Sequence, residues 1–137
     1  KEAKKYSTEV IIEKSFNGPE YTVALLKGKP LTPLQILHDP IRGFYDYEAK
    51  YNSQNTQKIK IEDESIVKRL KEISEKVFDC LNCKTWARVD FVSEGEKLAV
   101  IEINSVPGFT AKSLFPLAAK YSGIEYKELI SLIIEDC

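Results

Sequence analysis

Polar and apolar positions alternate most regularly between Trp86 and Asn104, on either side of a short polar turn at Ser93–Lys97. That arrangement is a hairpin signal. Strand side chains repeat with period two. Arg88 and Asp90 therefore share one face of the first strand, with Ala87, Val89 and Phe91 on the other. Glu102 and Asn104 share a face of the second strand, opposite Ile101 and Ile103. Folding about Gly95 in an even register brings the four polar groups to one side of the sheet. An odd register would drive them into the apolar face.

The rest of the chain divides around this hairpin. Lys1–Lys5 is a charged lead-in, Thr8–Lys14 reads as a strand, and Asn17-Gly18-Pro19 carries turn chemistry. Tyr21–Leu26 is a strand rich in β-formers. A turn at Lys27-Gly28-Lys29 leads to an extended segment, Leu31–Leu37. After a loop from Asp39 to Gly43 comes an aromatic, charged stretch, Phe44–Tyr51; a polar loop over 52–57 then precedes a short strand, Lys58–Ile61. Between Asp63 and Leu81, apolar residues at Ile66, Val67, Leu70, Ile73, Val77, Phe78 and Leu81 follow helical spacing, with Asp63 or Ser65 as cap. Ser113–Tyr121 reads as a helix ended by Gly123, and Tyr126–Ile134 as another. Strands joined by turns, with helices packed on one face, predict an α+β fold on a mainly antiparallel sheet.

Composition narrows the class. With 137 residues, 43% of them hydrophobic, the chain suits one globular domain with a real core. Twenty basic residues against 21 acidic leave a net charge of −1, which points to neither nucleic acid nor an anionic membrane as partner. No signal peptide or spanning apolar run is visible, and three cysteines are too few for a disulfide framework, so the setting reads as cytoplasmic. Cys80 and Cys83 have CxxC spacing, but the chain holds no second pair and its one histidine is His38. A helix end packed on the next strand accounts for them. There is no Met, even at position 1, so the chain reads as a piece of a longer protein.

The hairpin carries the candidate chemistry. Asp90, Glu102 and Asn104 form a hard-oxygen set suited to Mg2+, which shares its coordination with nucleotide phosphates. Arg88 beside them is equipped for phosphoryl or oxyanion charge. A solvated sheet face with a cross-strand Arg–Glu pair would give the same alternation. The small-residue loop from Asn104 to Thr110 then leads into Ser113 and an apolar helix, presenting backbone N–H groups and a hydroxyl nearby.

The stretches ARVDF and IEINSVPGFTAKSL resemble the closing motifs of the D-alanine–D-alanine ligases, members of the ATP-grasp superfamily. EKSFNGPEYTVALL and FYDYEAKY, earlier in the chain, resemble two further motifs of that family in the same order. The resemblance runs from about Val10 to the end. It implies an ATP-grasp C-terminal domain over residues 21–137, with 1–20 as the end of the central subdomain and a joining strand. It places Glu13 and Lys14 at the adenine edge and Glu20 on the ribose hydroxyls. Lys50 and Tyr51 close a loop that folds over nucleotide and reactive phosphate. Asp90, Glu102 (bridging) and Asn104 would hold two Mg2+ or Mn2+ ions. Arg88, with the backbone at Gly108, would stabilise an acyl phosphate and the tetrahedral intermediate. Ser113 and the Leu114 amide would hold the carboxylate of the second D-alanine.

The implied reaction joins two D-alanines at the expense of ATP, for peptidoglycan precursor synthesis. The family's remaining contacts come from its N-terminal and central domains, so the resemblance implies that this chain alone does not ligate. Family members are usually dimeric, largely through the N-terminal region. A D-alanine–D-lactate ligase, another ATP-grasp carboxylate–amine ligase and a non-catalytic fragment share these features. Phe109 stands where Met is common and Ser105 where Thr is common, and neither position carries the chemistry.

Overall fold

The computed structural model describes residues 2–37 and 57–136. Phe44–Tyr51, with Lys50 and Tyr51, lies outside the described residues, as do His38 and Cys137.

The uninterrupted apolar run Tyr21–Leu26 becomes the central strand, β1 (Glu20–Leu26), buried along nearly its whole length. A short strand β2 (Lys29–Pro30) turns back on it, and β3 (Leu34–Leu37) and β5 (Trp86–Glu94) flank it on either side. β4 (Gln57–Lys60) forms one edge beyond β3, and β6 (Lys97–Asn104) the other beyond β5. Every pairing is antiparallel. Lys27 (φ 52°) and Gly28 (φ 74°) make the two-residue β1–β2 turn, whose central positions both require positive φ. The expected extended segment Leu31–Leu37 begins its ladder only at Leu34.

Helix α1 (Glu64–Cys80) starts where Asp63 caps it, its Oδ1 accepting the Ser65 and Ile66 N–H groups at 2.9 and 3.2 Å. These bonds, Ile66's foremost, hold the Asp63 carboxyl below its usual range. The helix ends in a Schellman turn: Asn82 is left-handed (φ 52°), Cys83 N–H reaches Phe78 O and Asn82 N–H reaches Asp79 O, both at 3.0 Å. The CxxC spacing is thus the signature of a helix stop, with Cys83 packed against the cluster around Phe78. Helix α2 (Leu114–Tyr121) ends the same way at Gly123 (φ 82°), and α3 (Tyr126–Ile134) follows.

Two expectations need correction. The helices cover both faces of the sheet, not one. Tyr21, Val23, Leu25, Ala87, Val89 and Phe91 pack under α1 with Leu70 and Phe78. Ala24, Leu26, Leu34 and Ile36 pack on the opposite side with Leu114, Phe115, Ala118, Ala119 and Leu129. A strand with no polar alternation, such as β1, needs a cover on each side. The second correction concerns Thr8–Lys14, which forms no strand; Ile11 and Ile12 are 85% and 92% exposed. A β-forming sequence becomes a strand only with a ladder partner, and none of the described strands pairs with it.

Candidate active-site cleft

On the α2-facing side, the ladder registers line the candidate residues up in rows. Asp90 lies opposite Thr22 on one side and Glu102 on the other. Arg88 lies between Ala24 and Asn104, and Glu20 between Ile36 and Val92, with Lys58 beyond Ile36. The hairpin register is therefore the even one expected from the alternation. Gly95 takes the positive φ (58°) that the tight turn needs. A bulge interrupts the ladder between the Asp90–Glu102 and Phe91–Val100 pairs, leaving Ile101 unpaired. Ile101, expected on the opposite face, instead helps line the site.

Arg88 and Asp90, two residues apart on β5, are locked together. Arg88 Nε and Nη2 donate to Asp90 Oδ1 and Oδ2 at 2.9 and 2.6 Å, and Thr22 Oγ1 donates to Oδ1 at 2.6 Å. Arg88 and Thr22 are buried and Asp90 half-buried, so these charge-assisted bonds form largely out of water. Thr22 was legible in the sequence as the one aliphatic hydroxyl inside an apolar strand.

Glu20, Asp90 and Glu102 line one cleft of about 280 Å³, together with Tyr21, Ile36, Phe91, Ile101 and Leu114, the first residue of α2. Among the described residues, no three His, Cys, Asp or Glu side chains converge to hold a metal. The acidic set is two carboxylates on opposed strands, Asp90 and Glu102, completed by the Asn104 amide. Asp90 Oδ1 accepts two hydrogen bonds and Oδ2 one, so of four acceptor positions one remains, on Oδ2. Asn104 Oδ1 accepts from Val106 N–H at 3.2 Å, which fixes the amide where the strand becomes loop. Three oxygen donors with a lone pair to spare fit a hard divalent cation in kind.

The loop after β6 is held from several sides. Phe109 packs edge-on against Trp86 with ring centroids 5.1 Å apart, and Tyr126 Oη donates to the Phe109 carbonyl at 2.7 Å. Position 109, expected to carry no chemistry, packs the loop against Trp86. Ser113 sits at the N-cap position of α2, but its hydroxyl does not cap the helix. Its Oγ accepts the Thr110 N–H at 3.0 Å and bonds Thr110 Oγ1 at 2.9 Å. The Leu114 and Phe115 N–H groups, in the first helical turn, have no intrahelical acceptor, and Leu114 lines the cleft. Gly108 is pressed against this hydroxyl, since a Cβ there would lie 3.3 Å from Ser113 Oγ.

Of the remaining expected residues, Glu13 is exposed and Lys14 pairs with Glu94 near the hairpin tip, over the Phe16 ring. Neither lines the cleft. Lys58, which sequence reasoning passed over, is half-buried and donates from Nζ to the Lys112 carbonyl at 3.0 Å. Burial first, and then the Arg88 charge, push its pKa down.

Residues 1–135 match the family model described as D-ala D-ala ligase C-terminus. The chain belongs to this family. It is 40% identical over 131 residues to the D-alanine–D-alanine ligase of Aquifex aeolicus, covering 95% of this chain and 44% of that protein. The D-alanine–D-alanine ligase of Vesicomyosocius okutanii is 42% identical over 134 residues, covering 96% of this chain and 45% of its own length. The chain thus spans under half the length of the curated relatives it matches. A crystal structure of the Bacillus anthracis D-alanine–D-alanine ligase complexed with ATP superposes with a TM-score of 0.77 at 30% identity, over 90% of this chain and 39% of that one. The Coxiella burnetii ligase superposes with a TM-score of 0.71 at 27% identity. The α+β fold is accordingly that of the ATP-grasp ligase C-terminal domain.

Proposed function

We propose that this chain supplies the nucleotide- and metal-facing side, and the acceptor-carboxylate contacts, of a D-alanine–D-alanine ligase. The observation that carries the reading is the shared cleft: Glu20, Asp90 and Glu102 line it together with the first residue of α2. ATP enters the proposal from the family and from the ATP complex of the Bacillus anthracis relative.

In this reading residues 21–137 are the catalytic C-terminal domain, and residues 1–20 join it to an upstream nucleotide-binding region that completes the active site. Glu20 faces the nucleoside from the cleft, since a carboxylate accepts well from a ribose diol, and Glu13 and Lys14, outside that cleft, meet the adenine edge. Asp90, Glu102 and Asn104 would hold magnesium, which would neutralise nucleotide phosphate charge. Lys50, with Tyr51 beside it in sequence, contributes positive charge toward the phosphates. Arg88, oriented by its two bonds to Asp90, stabilises the charge on the acyl phosphate formed from the first D-alanine, assisted by the Gly108 backbone. Ser113 and the Leu114 amide hold the carboxylate of the second D-alanine at the positive end of α2. The dipeptide serves peptidoglycan precursor synthesis in the cytoplasm, and the intact protein is a homodimer. Among the described residues no helix is long and apolar enough to cross a membrane.

Substitutions in the intact protein carrying this chain test the roles. Glu102→Gln should cut D-alanine-dependent phosphate release severely. Ser113→Ala should chiefly raise KM for the second D-alanine, because it removes a contact made in the ground state. An unchanged acceptor KM in Ser113→Ala would remove Ser113 from the substrate site.

A further inference from the structure

Lys58 reaches from the sheet edge to the loop that ends in Ser113. It lies on β4 opposite Ile36, a cleft-lining residue, so its side chain rises on the face that carries Arg88 and Asp90. Its ammonium donates to the carbonyl of Lys112, the residue immediately before Ser113. The two are 54 positions apart in sequence, so this is a tertiary tie between an edge strand and the start of α2. A lysine at an edge strand ordinarily extends into water. Here it is half-buried and held against a carbonyl despite the nearby Arg88 charge, which opposes a second cation.

The other ties on the loop act elsewhere. Tyr126 fixes the Phe109 carbonyl, and Thr110 bonds the Ser113 hydroxyl within the loop itself. Neither runs to the sheet that bears Arg88, where Trp86 of β5 packs on Phe109 and Phe115 through ring contacts. Lys58 adds a hydrogen bond between that sheet and the residue before Ser113.

We propose that Lys58 is a positioning residue for acceptor binding: its bond to the Lys112 carbonyl sets the height of Ser113 and the α2 N-terminus above the Arg88 face, and thereby tunes affinity for the amino-acid carboxylate. This rests on the reading of Ser113 and the Leu114 amide as the carboxylate contacts. Losing a bond from a charged donor to a carbonyl is equivalent to about tenfold in a binding constant.

The test compares Lys58→Met, which keeps the aliphatic stem, with Lys58→Arg, which can still donate to a carbonyl. In the intact protein, Lys58→Met should raise KM for the acceptor D-alanine by about tenfold with kcat changed less than about twofold, and Lys58→Arg should restore most of the loss. In the 137-residue chain itself, Lys58→Met should speed hydrogen exchange at the Ser113 and Thr110 amides and leave those of β1 and β5 unchanged. Unchanged acceptor KM, or equal losses for ATP and D-alanine, would overturn the proposal. So would unaltered exchange at Ser113 and Thr110. If unsubstituted protein shows no D-alanine-dependent turnover, the ligase reading fails by that result, while the exchange measurement still decides whether Lys58 holds the loop.

Discussion

Arg88→Met probes the polar centre of the sheet most sharply. The substitution keeps an unbranched, apolar stem and removes a cation donating at 2.9 and 2.6 Å to a carboxylate whose side chain is only 16% exposed. Asp90 then keeps the Thr22 hydroxyl as its bond and loses the cation that offsets its burial. Breaking one side of such a pair costs about 3–5 kcal/mol. Asp90→Asn alone leaves the opposite problem, a buried guanidinium facing a neutral amide. The double variant Arg88→Met/Asp90→Asn removes both charges together and should be more stable than Arg88→Met alone. The assay is urea denaturation of the four chains followed by circular dichroism, with slopes compared so that only midpoints carry the difference. The four values should depart from additivity by well over ~0.5 kcal/mol, the usual scatter for independent sites. Additive losses within that scatter would refute the claim that the two side chains act as one desolvated unit.

Other consequences follow from single contacts. Gly18→Ala would place a Cβ 2.1 Å from the Ser93 carbonyl oxygen, so the β5 end must shift; a loss of about 1–3 kcal/mol is expected by denaturation, with faster exchange of the Ser93 amide bonded to Pro19 O. Tyr126→Phe removes the 2.7 Å bond to the Phe109 carbonyl and should cost about 1 kcal/mol, and an unchanged midpoint would discount that tie. Because Lys58 has a lowered pKa in the folded chain, the folded state holds fewer protons than the unfolded between the two values, and stability rises with pH across that alkaline window. Lys58→Met should flatten this rise in denaturation midpoints measured as a function of pH.

The site was more legible in the sequence than the packing around it. Period-two alternation on two strands joined at Gly95 is a local signal, and it is enough to put Arg88, Asp90, Glu102 and Asn104 on one face. The Asp63 cap and the α3 limits are local in the same way. The two-sided cover was less visible. Its mark was the absence of alternation in β1, which reads equally as plain β-propensity. The ties that hold the Ser113 loop span 54 residues from Lys58 and 17 from Tyr126 to Phe109, distances over which no local pattern carries information. Ile101 escaped because a bulge shifts phase by one residue, and nothing in an Ala-Val-Ile-Glu run marks where the extra residue falls. Thr8–Lys14 shows the converse: a fitting local pattern without a partner strand.

We propose that the Glu20–Asp90–Glu102 cleft serves an ATP-dependent ligation of D-alanine, and phosphate release is the assay for it. The intact protein carrying this chain, supplied with ATP and Mg2+, should release phosphate only when D-alanine is added, and the 137-residue chain alone should release none. Folded intact protein that releases no phosphate in response to D-alanine would contradict the account.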